Sequence, residues 1–128
     1  MILVDTSIWV DHLRSGNEVL VGLLGVGMVL AHPFVIGELA LGHLRQRAIV
    51  LDAMSDLPRA SVATDHEVLH FIERNALAGH GVGYVDVHLL AAVRLTPGAT
   101  LWTRDRRLHA VATRLDLALP PRATFPQS

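Results

Sequence analysis

Ile2-Leu3-Val4-Asp5-Thr6-Ser7-Ile8-Trp9-Val10-Asp11-His12-Leu13 is the stretch whose reading decides the fold. Three apolar residues, of which Ile2 and Val4 are β-branched, run directly into a carboxylate and two hydroxyls. Apolar residues then recur at Ile8, Trp9 and Leu13, which is helical spacing. The stretch reads as a buried strand feeding a helix, with Asp5 at the junction. In open α/β sheets ligands bind outside the carboxyl ends of the strands, so an acid at that junction is placed for chemistry.

Outward from this unit, Ser15-Gly16-Asn17 is a turn, and Val19, Leu20, Leu23 and Leu24 mark a second short helix over residues 18–25. Residues 28–31 read as a second strand. Pro33 suits the first turn of a helix that continues to Leu44, and a further helix over residues 46–55 ends before Leu57-Pro58. Residues 61–63 give a weaker third strand signal. Thr64 followed three residues later by Glu67 is a capping box, opening a helix that runs to about Leu77. Gly79-His80-Gly81-Val82-Gly83 is a flexible loop, Asp86 sits near the start of the next helix, and Pro97-Gly98 ends that helix. Residues 99–102 read as a fourth strand, Thr103-Arg104-Asp105 opens a helix to about Ala112, and residues 115–119 suggest an edge strand before Pro120-Pro121-Arg122. Short strands alternating with helices give an α/β fold with a parallel sheet, in a single domain over residues 1–128.

Composition removes several classes of function. The chain has no cysteine, which excludes disulfides, thiolate catalysis and cysteine-ligated metal sites. All eleven basic residues are arginine, so a Walker-type phosphate loop and Schiff-base chemistry are excluded as well. The net charge is -1 and the pI about 6.7, so any binding of a polyanion has to be local. Residues 19–31 carry no charge but are interrupted by three glycines and fall short of the ~20 apolar residues of a membrane span. No membrane segment and no signal peptide are expected, and a cytoplasmic protein is. Mean hydropathy is +0.39, high enough to suggest apolar surface that awaits a partner.

Asp5, Glu38, Asp86 and Asp105 stand out by their surroundings. Asp5 ends the first strand and Asp105 follows the fourth. Asp86 follows the glycine loop, and Glu38 lies in an otherwise apolar helix, where its carboxylate is expected to point away from water. Each also has an ordinary structural task open to it: helix capping or dipole compensation for Asp5, Asp86 and Asp105, pairing with an arginine for Glu38. Together they say more. Three lie at or just past the carboxyl end of a strand or its loop, which is one edge of a parallel sheet. Carboxylates gathered there repel one another unless a cation joins them, and hard oxygen donors favour Mg²⁺ or Mn²⁺. Such an ion suits in-line hydrolysis of a phosphate ester. Thr6, Ser7 and Thr103 are hydroxyls beside these acids, free either to orient metal-held water or to cap helices.

The segments Leu3-Val4-Asp5-Thr6-Ser7, Gly37-Glu38-Leu39, Gly83-Tyr84-Val85-Asp86 with Leu89-Leu90-Ala91-Ala92, and Leu101-Trp102-Thr103-Arg104-Asp105 resemble the PIN-domain ribonucleases, specifically the VapC toxins of bacterial toxin–antitoxin pairs. Their order and spacing agree over nearly the whole chain. The resemblance implies a three-layer fold, a central parallel sheet flanked by helices. It further implies a Mg²⁺- or Mn²⁺-dependent endoribonuclease, a homodimer, and a cognate VapB antitoxin. Carried over by position, Asp5, Glu38, Asp86 and Asp105 form the acidic pocket that holds metal, with Thr103 its polar neighbour. Many members have another acidic or polar residue just after the last of these, where this chain has Arg106 and Arg107. Arg104, Arg106 and Arg107 are candidates to hold RNA phosphates, or else form a solvated face.

Two rival readings come from the same residues. His66-Glu67-Val68-Leu69-His70 is a literal HExxH, the pattern of zinc hydrolases, although Glu67 already has a task in the capping box and the two histidines are expected to be exposed. The other is a non-catalytic protein-binding module whose acids hold an ion structurally. Gly81-Val82-Gly83 lacks the third glycine of a dinucleotide fingerprint, and Trp9 and Trp102 read as core residues.

Overall fold

The computed structural model describes residues 1–120. Its centre is β1 (Ile2–Val4), flanked by β2 (Val29–Leu30) on one side and β3 (Thr100–Trp102) on the other, all parallel. Ile2 pairs with Val29 and Thr100, Leu3 with Leu30 and Leu101, and Val4 with Trp102. All three residues of β1 are buried, as expected of a parallel strand covered on both faces.

Seven helices connect and cover these strands: α1 (Thr6–Ser15), α2 (Glu18–Gly25), α3 (Pro33–Ala40), α4 (Arg47–Ser55), α5 (Asp65–Arg74), α6 (Tyr84–Leu95) and α7 (Arg106–Arg114). From β1 the chain crosses to β2 through α1 and α2, continues outward through α3 and α4 to the Arg59 bridge beside β2, and then returns across β1 to β3 through α5 and α6. Right-handed crossovers put α1 to α4 on one face of the sheet and α5 and α6 on the other. The carboxyl end of β1 therefore lies where the connections diverge, which is where such sheets bind ligands. Leu3, Leu20, Leu89, Leu90, Leu101 and Leu108 are the largest apolar side chains wholly withdrawn from water. In α6, seven consecutive residues from Val87 to Val93 are buried, so this helix runs through the core rather than over it. No helix of the described residues is long and apolar enough to cross a membrane.

Several expected elements are shorter. Residues 61–63 form no strand. The pairing beside β2 is a single bridge, Ala31 with Arg59, and the Ser61 amide turns away to the Thr96 hydroxyl at 2.9 Å. Residues 115–119 likewise give one bridge, Ala118 with Leu101, because Asp116 adopts a left-handed turn (φ +59°) and the chain reaches the β3 edge only after it. Helix α3 stops at Ala40 instead of Leu44, and the Arg47 guanidinium takes the carbonyls of Ala40 and Gly42. Helix α7 starts at Arg106, with Asp105 as its N-cap and not its first turn. The capping box forms as read: Thr64 N–H donates to Glu67 Oε1 at 2.9 Å, and Glu67 N–H donates to Thr64 Oγ1 at 3.1 Å. Of the proline-rich tail, Pro121 and Arg122 lie outside the described residues.

Candidate active site

Asp5 sits just beyond β1, and its amide still continues the sheet by donating to the Trp102 carbonyl at 2.9 Å. Its carboxylate is buried and accepts three hydrogen bonds: from the Thr6 amide at 2.7 Å, the Ser7 hydroxyl at 2.9 Å and the Thr103 hydroxyl at 2.7 Å. A buried charge is tolerable only when held this way. Thr103, buried beside it, also accepts from the Asp105 amide at 3.0 Å, and Ser7 accepts from the Arg104 amide at 3.1 Å. Two hydroxyls thus lace the end of β1 to the loop after β3, and each hydroxyl has a defined orientation.

Glu38 is reached from the same junction, since the Thr6 hydroxyl donates to its Oε1 at 2.7 Å. The expectation that Glu38 points away from water is corrected: the residue is exposed. Its apolar neighbours along α3, Val35 and Leu39, turn inward and take the core face, leaving Glu38 on the open face toward α1.

Asp86, in the first turn of α6, is partly buried, and its carboxyl is pushed up from 3.8 to about 6. Burial is the main cause, followed by the charge of Asp5; a hydrogen bond from the Gly83 backbone opposes the shift, and Asp105 and Glu38 add to it. The charges of Asp5, Asp105 and Glu38 therefore all bear on Asp86, although the four come from separate places in the chain. Asp105 is exposed and spends Oδ1 on the Leu108 amide at 2.9 Å, the capping task open to it from the sequence.

The donor chemistry suits a hard divalent cation in charge and in type, with oxygen ligands throughout. As placed, no three of the described His, Asp and Glu side chains stand close enough to enclose one ion. Asp5 and Asp105 each turn one oxygen to a backbone amide, so joint coordination would draw the free oxygens of Asp86 and Glu38 inward.

Two of the arginines beside Asp105 have neighbours that sequence spacing does not reveal. Arg104 forms an ion pair with Asp11 on α1. Arg107 lies across Gly81, where an added Cβ would come within 2.9 Å of its Cδ and Nη1. Gly81 has φ +76°, which favours glycine, whereas the Arg107 atoms are the far end of a flexible side chain that can shift aside. Arg107 thereby lies against the loop whose end, Gly83, is the N-cap of α6 and hydrogen-bonds Asp86 through its backbone. The only advance signal was the glycine itself.

In the HExxH segment, His66 and His70 are exposed as expected, and Glu67 is held by Thr64. The more unusual histidines are elsewhere. His32 and His88 are buried, with His32 Nε2 and both His88 ring nitrogens lacking a hydrogen-bond partner among the described residues. Trp9 is core as expected, while Trp102 is half-buried.

Comparison with known proteins agrees with this architecture. The PIN domain family matches residues 2–114. Two relatives named Ribonuclease VapC32, from Mycobacterium tuberculosis strains CDC 1551 / Oshkosh and ATCC 25618 / H37Rv, are each 50% identical over 119 residues, covering 93% of this chain and 96% of theirs. With the match spanning β1 through α7 and every element that carries one of the four acids, the chain belongs to the PIN-domain family, in its VapC branch.

Proposed function

We propose that the chain is a Mg²⁺- or Mn²⁺-dependent endoribonuclease and the toxin of a VapB–VapC toxin–antitoxin pair. The observation that carries this reading is that Asp5, Glu38 and Asp105 all bear on the charge of Asp86 at the carboxyl edge of the sheet. Half-identity to proteins named Ribonuclease VapC32 supports RNA as the substrate.

In this reading Asp5 and Asp86 hold the ion directly, and Glu38 and Asp105 complete its shell directly or through water. Bound there, a divalent cation would offset charge developing on the phosphate oxygens and assist attack by water. The protein's own part is preorganisation. The Thr6 amide and the Ser7 and Thr103 hydroxyls fix Asp5, and Thr6 also steadies Glu38. Asp86 gives up its proton near pH 6, which leaves it ready to meet a cation at neutral pH. Arg106 directly follows Asp105, and with Arg104 and Arg107 it supplies positive charge for RNA phosphates in a protein of near-neutral pI.

Exposed Val21, Val26, Leu41, Ile49 and Leu69 support apolar contacts with a second copy and with an antitoxin. The reading places the protein in the cytoplasm, with its RNA. The test is RNA cleavage by purified protein with Mg²⁺ or Mn²⁺. Activity is expected to vanish with EDTA and to fall by about a hundredfold or more in folded Asp5→Asn and Asp86→Asn variants. Undiminished cleavage in those variants would favour a protein-binding module with a contaminating nuclease.

A further inference from the structure

Tyr84 is the chain's single tyrosine, opens α6 two residues before Asp86, and is 48% exposed. Its ring is not loose. It stands edge-on to His88, centroids 4.7 Å apart and planes at 87°. His88 is buried and packs on Phe34 at 4.7 Å, and Phe34 packs on His32 at 5.2 Å. Four rings thus run from the buried N-cap of α3 to the surface, ending in the tyrosine. Tyr84 opens α6 and Asp86 lies in its first turn, so the row reaches the surface at the end of α6 that carries this acid.

We propose that Tyr84 is a stacking platform for an unpaired base of the RNA strand held at the acids, and so a specificity-determining residue for the reaction proposed above, on which this inference rests. An acidic pocket repels the phosphates it must process, so contacts that do not depend on charge add to what the arginines supply. Stacking of splayed bases on an aromatic face is such a contact, available only to single-stranded RNA. A ring already fixed by His88 loses little freedom when a base settles on it.

The test uses a pool of single-stranded RNA 12-mers of randomised sequence carrying 2-aminopurine at the centre, bound to Asp5→Asn protein. Tyr84→Phe and Tyr84→Trp are expected to bind and quench the fluorophore like the parent. Tyr84→Leu keeps an apolar contact with His88 but offers no flat face. It is expected to weaken binding by about tenfold and to abolish quenching, with the melting temperature unchanged. Tyr84→Leu binding and quenching like Tyr84→Phe overturns the proposal. Cleavage of the pool by protein with native Asp5 separates the two levels. No cleavage with Mg²⁺ or Mn²⁺ defeats the nuclease reading and this inference with it, whereas cleavage with kcat/KM unchanged in Tyr84→Leu defeats this inference alone.

Discussion

Asp86 shows at the scale of one residue how a site is maintained against stability. Its carboxyl titrates near 6 in the folded chain against 3.8 as a free side chain, so the folded state binds a proton that the unfolded state has released between those values. Stability from this group is present below pH 3.8 and is lost as pH rises through 6. Replacing Asp86 with Asn removes the penalty, and urea melts in EDTA at pH 7.5 should show the variant more stable by on the order of 1 kcal/mol, solvent screening of the half-exposed carboxyl having reduced the effect. Saturating Mg²⁺ should raise the stability of the wild type and leave Asp86→Asn nearly unmoved. His32 acts in the opposite sense. Burial, with His88 and Arg59 nearby, lowers it from 6.5 to about 4, so its contribution is full above 6.5 and is lost as pH falls toward 4. Across pH 4–6.5 these two slopes oppose each other, so metal-free wild type should vary less in stability than Asp86→Asn. Asp86→Asn should instead lose stability steadily on acidification over that range. Denaturant midpoints at half-unit pH steps decide it, and parallel profiles for the two proteins would contradict the assignment.

At the scale of the element, the loop before α6 and the helix α7 act as one piece, because Arg107 fills the space above Gly81. Gly81→Ala meets both a left-handed backbone and the guanidinium, and should destabilise by about 1–3 kcal/mol. Adding Arg107→Ala should recover the steric part of that loss and leave the backbone part. A double-mutant cycle with no coupling between the two positions would refute the contact. Elements also show what was legible in the sequence. The unit Ile2 to Leu13, the Thr64–Glu67 box and the bounds of α6 follow from local chemistry, and each was readable. Strand extents at residues 61–63 and 115–119 were not. They depend on whether a neighbouring backbone arrives in register, and the turn of the Ser61 amide to Thr96 and the left-handed Asp116 limit that to single bridges. Glu38 was misjudged for the same kind of reason. Helical spacing names its neighbours on α3, but not whether another element covers its face. Asp5 and Asp105 were legible as acids at strand ends, while the Arg104–Asp11 pair and the Arg107–Gly81 contact, between residues distant in the chain, were not.

At the scale of the whole molecule, the order β2-β1-β3 accounts for the convergence of the acids. A central first strand, with α1 to α4 on one face and α5 and α6 on the other, brings α3, the start of α6 and the end of β3 to the one edge where Asp5 lies. The same molecule leaves Val21, Val26, Leu41 and Ile49 facing solvent, 55–91% exposed, and is expected to elute as a dimer at micromolar concentration. A monomer by light scattering at that concentration would count against the self-association. The central claim, that carboxylates from separate elements act together on one divalent ion, is tested most directly by Mn²⁺ binding followed by electron paramagnetic resonance. One bound ion per wild-type chain is predicted, with affinity at least about tenfold weaker in Asp5→Asn and Asp86→Asn and unchanged in His66→Ala. Equal Mn²⁺ binding by wild type and both aspartate variants would contradict it.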